Sequence, residues 1–182
     1  MYFIPDISQL NIWSYIILFL ATILFVYLII NDILENARVS VYKINDNNSI
    51  NQYMFKLISE GGRVAIWTRD MSWAENLDTI ELLTSKARRN ELIICTSRRF
   101  SIMSQLISAG AEVYLYDRLD FVPRSRFTIV QFGREGSRVA IGSREGSYHV
   151  IKEFASGEHP IFTVTEDLIK FAMKAEQFYE KE

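Results

Sequence analysis

Between Asp6 and Asp32 the chain carries no charged side chain, and the run from Ile12 to Ile30 reads IWSYIILFLATILFVYLII. A helix of about 20 apolar residues crosses a bilayer, so this run predicts a transmembrane helix. A cleaved signal peptide would need a basic stretch before the run and small residues after it, and the sequence has neither. Trp13, Tyr15 and Tyr27 suit the two headgroup interfaces. No Lys or Arg precedes the run, whereas Arg38 and Lys43 follow it, a bias that places the C-terminal part in the cytoplasm. Residues 32–49 are polar apart from the short alternation Val39-Ser40-Val41-Tyr42, and they read as a juxtamembrane linker.

Past residue 49 the hydrophobic period switches repeatedly. Ile50, Met54, Leu57 and Ile58 share a helical face that Gly61-Gly62 closes. Short apolar runs at 63–68, 91–96 and 112–116 predict buried strands, and helical spacing over 74–89 and 103–109 predicts the helices between them. Strand and helix in alternation imply parallel crossovers. The rhythm then changes, with strands over 126–132, 137–142 and 148–154 joined by short turns, and a last helix over 166–180. The expectation is an α/β chain in three parts: residues 1–31 with the transmembrane helix, the linker 32–49, and a mixed sheet flanked by helices over 50–182.

Composition narrows the partners. Of 182 residues, 49% are hydrophobic and 23% charged, and the net charge of -2 offers no basic field for nucleic acid. The one cysteine, Cys95, sits in an apolar run, which excludes a disulfide framework and reads as a small buried hydrophobe in a reducing compartment. His149 and His159 lack metal-ligand spacing. No metal and no cofactor is expected.

The stretch RFTIVQFGREGSRVAIGSREGS, Arg126 to Ser147, reads as two antiparallel strands around a Gly-containing turn. It resembles the catalytic strand pair of the phospholipase D superfamily, in which His-x-Lys-x(4)-Asp is followed by a hydrophobic strand ending in Gly-Ser. Position by position, the family's nucleophilic His falls on Arg126, its Lys on Thr128 and its Asp on Gly133, with Gly142 and Ser143 retaining the Gly-Ser. An Arg guanidinium is never deprotonated at neutral pH and attacks nothing, but its planar fork binds phosphate or carboxylate bidentately. The resemblance, over about residues 50–178, implies the phospholipase D-like fold without its chemistry, that is, a pseudoenzyme. Single-repeat members of the superfamily pair as homodimers, so it also implies a homo-oligomer.

Ligands of open α/β sheets sit beyond the carboxyl ends of the strands. The polar residues delivered there are Thr68, Arg69, Asp70, Ser72 and Trp73 after one strand and Thr96, Ser97, Arg98 and Arg99 after the next. Thr68, Arg69, Ser72, Trp73, Ser97, Arg126, Thr128 and Ser143 are therefore the candidate ligand-binding residues, with Arg69 and Arg126 placed to face one anion. Each has a plainer role open to it: Ser72 as a helix cap with Glu75 three residues on, Trp73 as core, Ser143 as a turn residue, and the arginines as a solvated surface among Asp117, Asp120, Glu135 and Glu145. His149 reads as part of the last strand. Three functions follow: a membrane-anchored, non-catalytic phospholipase D-like sensor, effector or oligomerisation module with a small anionic or nucleotide ligand; an atypical phosphodiesterase or nuclease; or a membrane-anchored, nucleotide-sensing Rossmann-like effector of antiviral defence, which would need a mostly parallel sheet.

Overall fold

The computed structural model describes residues 12–35, 38–44, 46–116, 123–155 and 159–179. Asp117 and Asp120, and the end of the last helix at Glu180, lie outside them. The chain divides into two units, residues 1–36 and 37–182.

The first unit holds α1 (Ile12–Glu35), whose segment Ile12–Ile30 is long and apolar enough to cross a membrane. Its large apolar side chains are exposed, Trp13, Leu18 and Phe19 each at about two-thirds of full exposure. The hydroxyl of Thr22 donates to the Leu18 carbonyl at 2.8 Å, which satisfies it within the helix.

The second unit is one seven-stranded sheet in the order β1-β7-β6-β5-β2-β3-β4. Its strands are β1 (Arg38–Lys43), β2 (Val64–Thr68), β3 (Leu92–Thr96), β4 (Glu112–Leu115), β5 (Phe127–Val130), β6 (Arg138–Glu145) and β7 (Tyr148–Phe154). β2, β3 and β4 run parallel, and every other pairing is antiparallel. The mixed sheet agrees with the change of rhythm in the sequence and departs from the mostly parallel sheet that a Rossmann-like effector would need. Hairpins β5-β6-β7 cannot run parallel, because their turns are too short for a crossover.

Helices α2 (Asn47–Ser59), α3 (Leu77–Arg88) and α4 (Met103–Ser108) cover one face, and α5 (Pro160–Tyr179) lies on the other. Successive strand residues alternate between the two cores: Val64 and Ile66 pack with Leu57, Leu83 and Leu106, while Ala65 and Trp67 pack with Phe162, Ile169 and Ala172. Gly61 and Gly62 end α2 at φ +103° and +67°, a backbone region that favours glycine.

Three local expectations change. The stretch read as a linker contains β1, an edge strand paired with β7, and Asp46 caps α2 by accepting from the Ser49 amide at 3.1 Å. Ser72 does not cap α3. It opens a 3-10 turn, Ser72–Ala74, and Asn76 is the cap, accepting from the Thr79 amide at 2.8 Å. Gly142 and Ser143 are not a turn either, because β6 runs on to Glu145.

Candidate functional site

Where β2 ends, its last residue shapes the loop that follows. The Thr68 hydroxyl donates to the Asp70 carbonyl and accepts from the Asp70 amide. Thr96 repeats the device at the end of β3, its hydroxyl bonding the carbonyl and amide of Arg98. Such side-chain turns redirect the chain sharply, and here they lift Asp70 and the 3-10 turn over the sheet. The Tyr116 hydroxyl donates to the Thr68 carbonyl at 2.8 Å and adds a second tie.

The result is a pocket of about 220 Å³. Its floor is the sheet, from Ile66 and Thr68 through Arg126 and Thr128 to Ala140, Gly142, His149 and Ile151. Asn47, Ile50, Asn51 and Met54 of α2 form one wall, and Asp70, Ser72 and Trp73 form the other. This is smaller than the roughly 300–1,000 Å³ typical of drug-sized ligands. Asn51 braces the two walls: with its amide oriented to donate, it reaches the carbonyls of Trp73 at 3.2 Å and Asn47 at 3.0 Å.

Arg126 is the cation of this pocket. Its Nη2 donates to Asp70 Oδ2 at 3.3 Å, and Ser72 Oγ donates to Asp70 Oδ1 at 3.0 Å. One long contact is less than the paired, shorter bonds that a carboxylate and a guanidinium can form. Arg126 Nε is buried and bonded to no acceptor, so the guanidinium keeps donor capacity for a further anion. Thr128, two residues on, lines the same floor. Arg126 and Thr128 thus face one pocket, and the guanidinium of Arg126 cannot serve as a nucleophile. Gly133 lies exposed in the turn beyond β5.

His149 enters the pocket although its sequence context marks only a strand. Pairing of Gly142 with Ile151 puts Gly142 beside His149 on the same sheet face, and a Cβ on Gly142 would lie 3.1 Å from His149 Nε2. The missing side chain makes room for the imidazole. Burial first, and Arg126 second, hold His149 below the ordinary imidazole range, which favours the neutral ring. The signal that could have found it is pleat parity: His149 shares the face of Ile151.

The remaining candidates lie elsewhere. Arg69 is outside the pocket lining, though it and Arg126 both act on the Tyr116 phenol. Ser97 hydrogen-bonds Tyr116, whose phenol burial pushes up to about 12. Ser143 is exposed, 3.4 Å from Glu145 Oε1, on the opposite face of β6 from Gly142's pocket contact. A more open depression shares Asp70 and Ser72 with the pocket and is bordered by Arg98 and Arg99. Thr68, Ser72, Trp73, Arg126 and Thr128 are therefore the candidates that the fold brings together, with Asp70 and His149 added.

No protein-family model matches the sequence, and no curated protein matches it. Among solved structures, NucT from Helicobacter pylori superposes with a TM-score of 0.53 at 13% identity, over 76% of this chain and 96% of NucT. A polyphosphate kinase from Porphyromonas gingivalis gives a TM-score of 0.53 at 7% identity, over 75% of this chain, which spans 26% of the kinase. At such identities the likeness is one of fold. Both neighbours are phospholipase D-like, and so is the fold of this chain.

Proposed function

We propose that this protein is a membrane-anchored phospholipase D-like domain that binds a phosphoryl-bearing anion and does not hydrolyse it, acting as a sensor or effector. The observation that carries this reading is Arg126: it lines the pocket and its side chain is held by one long contact to Asp70, at the position where the sequence resemblance puts the family's nucleophile. An incoming anion competes with Asp70 for the guanidinium. Displacing Asp70 releases one end of the loop that Thr68 and Ser72 shape, and that loop leads into α3. A ligand that binds only the displaced arrangement shifts the equilibrium toward it, which is what a sensor requires. Self-association through the same face is part of the proposal, because tethering in a membrane raises effective concentration.

The experiment is calorimetric titration of the full-length protein in detergent with inorganic phosphate and with pyrophosphate. Saturable binding that Arg126→Ala abolishes supports the reading. Equal heats from both proteins, or none from either, overturn it.

A second reading, an atypical phosphodiesterase, draws on His149. A neutral imidazole is a competent nucleophile, and this one shares the pocket with a cation able to steady a phosphoryl group. Phosphodiester turnover abolished by His149→Ala would establish it and remove the first.

A further inference from the structure

The burial pattern of β1 is inverted. Its apolar residues Val39 and Val41 are exposed at 56% and 57%, while Ser40 and Tyr42 on the inner face are half-buried. A solvated edge strand normally turns its polar side outward. Antiparallel pairing continues the outer face onto β7, where Val39 is opposite Lys152, Val41 opposite Val150 and Lys43 opposite Tyr148. Tyr148 is 49% exposed, and Lys43 and Lys152 are exposed as well. The apolar cluster on this side of the sheet gathers around α5 and includes neither Val39 nor Val41. What results is a small exposed apolar strip of Val39, Val41 and Tyr148, with Val150 itself buried, flanked by two lysines and with Glu145 opposite Tyr148 at its rim.

We propose that this outer face of β1 and β7 rests on the anionic headgroup layer of the membrane that α1 crosses. The proposal rests on the anchored reading of α1 and adds which face meets the lipid and by what chemistry. Chain length confines the strip. Eight residue steps separate Ile30 from Arg38, and even fully extended they span at most about 28 Å, which bounds how far the start of β1 can lie from the end of the apolar run. The residue types match that surface. Valines and a tyrosine favour the boundary between headgroups and acyl chains, and lysine stems lie along apolar surface while their ammonium groups reach anionic phosphates. A second copy of the chain is the competing occupant. It would place Lys43 and Lys152 against like charges unless Glu145 met them, whereas a phosphatidylglycerol surface offers opposite charge everywhere.

The test uses the full-length protein in vesicles of phosphatidylcholine with about 30% phosphatidylglycerol, a composition that supplies the negative surface potential to which polybasic segments respond. A polarity-sensitive fluorophore is attached to Val41→Cys or, as a control on the opposite sheet face, to Ile107→Cys, which is 49% exposed in wild type; native Cys95 is buried and does not label. Flotation of each labelled protein with the vesicles first verifies the anchor, so a failure of anchoring is read separately. The expected result is blue-shifted emission at position 41, quenched at least twofold more by headgroup-nitroxide lipid than at position 107. Lys43→Glu with Lys152→Glu should halve that quenching with phosphatidylglycerol and change it little in pure phosphatidylcholine. Equal quenching at 41 and 107 in floated protein overturns the proposal. A blue shift at 41 that follows protein-to-lipid ratio and ignores the nitroxide overturns it too, in favour of a second copy.

Discussion

Arg126 and Asp70 meet at 3.3 Å, and that contact joins the residue before β5 to the loop after β2 across the mouth of the pocket. Both side chains keep about a third or a quarter of their exposure, so water screens the pair and its strength is modest, on the order of 0.2–1 kcal/mol. An anion that approaches Arg126 meets the Asp70 charge as well. Asp70→Asn keeps the shape and removes the charge, and phosphate affinity should rise by up to about fivefold by calorimetry, the factor that the upper end of such a pair energy represents. Unchanged or weaker affinity would mean that Asp70 does not compete with the ligand.

Gly142 is the complement of His149. Its backbone is not in the left-handed region, so alanine there carries no backbone strain and only the 3.1 Å approach to Nε2 matters. Gly142→Ala should destabilise the protein by about 1 kcal/mol, the lower end of overpacking costs, and the same change made in His149→Ala should cost nothing. Urea unfolding of the four proteins in the double-mutant cycle measures the coupling. Additive effects would show that the two residues do not meet.

Acid should find His149 early. Burial and then Arg126 lower its folded pKa, so between the folded and unfolded values the unfolded chain binds the proton and the folded chain does not. The stability tied to the neutral ring is complete above about pH 6.5, the unperturbed value, and is lost as pH falls through the lower folded value. His149→Gln should flatten that part of the stability profile. Arg126→Gln should move the His149 titration, followed by NMR of the imidazole, toward its ordinary value without fully restoring it, because burial is the larger cause.

What the sequence made legible follows from which forces are local. The strand and helix order was readable because each element carries its own period, and Arg126 and Thr128 were readable as neighbours because alternate residues of one strand share a face. β1 was not, since its partner β7 lies more than a hundred residues away and its valines point outward, so composition resembles a linker. The misreading of Gly142-Ser143 as a turn has a similar origin. Glycine signals a turn by composition, but here its absent side chain accommodates His149 inside a continuous strand, and the true turn falls at Gly146 with φ +58°. Membership of His149 in the pocket depends on the β6-β7 register, which a hydrophobic pattern alone leaves open. Arg69, adjacent in sequence to the pocket residues Thr68 and Asp70, does not itself line the pocket.

Phosphorus NMR of bis-p-nitrophenyl phosphate with the full-length protein tests at once whether the pocket binds a phosphoryl group, as proposed, and whether it leaves that group intact. The predicted spectrum shows saturable broadening of the diester resonance, lost in Arg126→Ala, with no product resonance after prolonged incubation. A product resonance that grows with wild type and disappears in His149→Ala would contradict it.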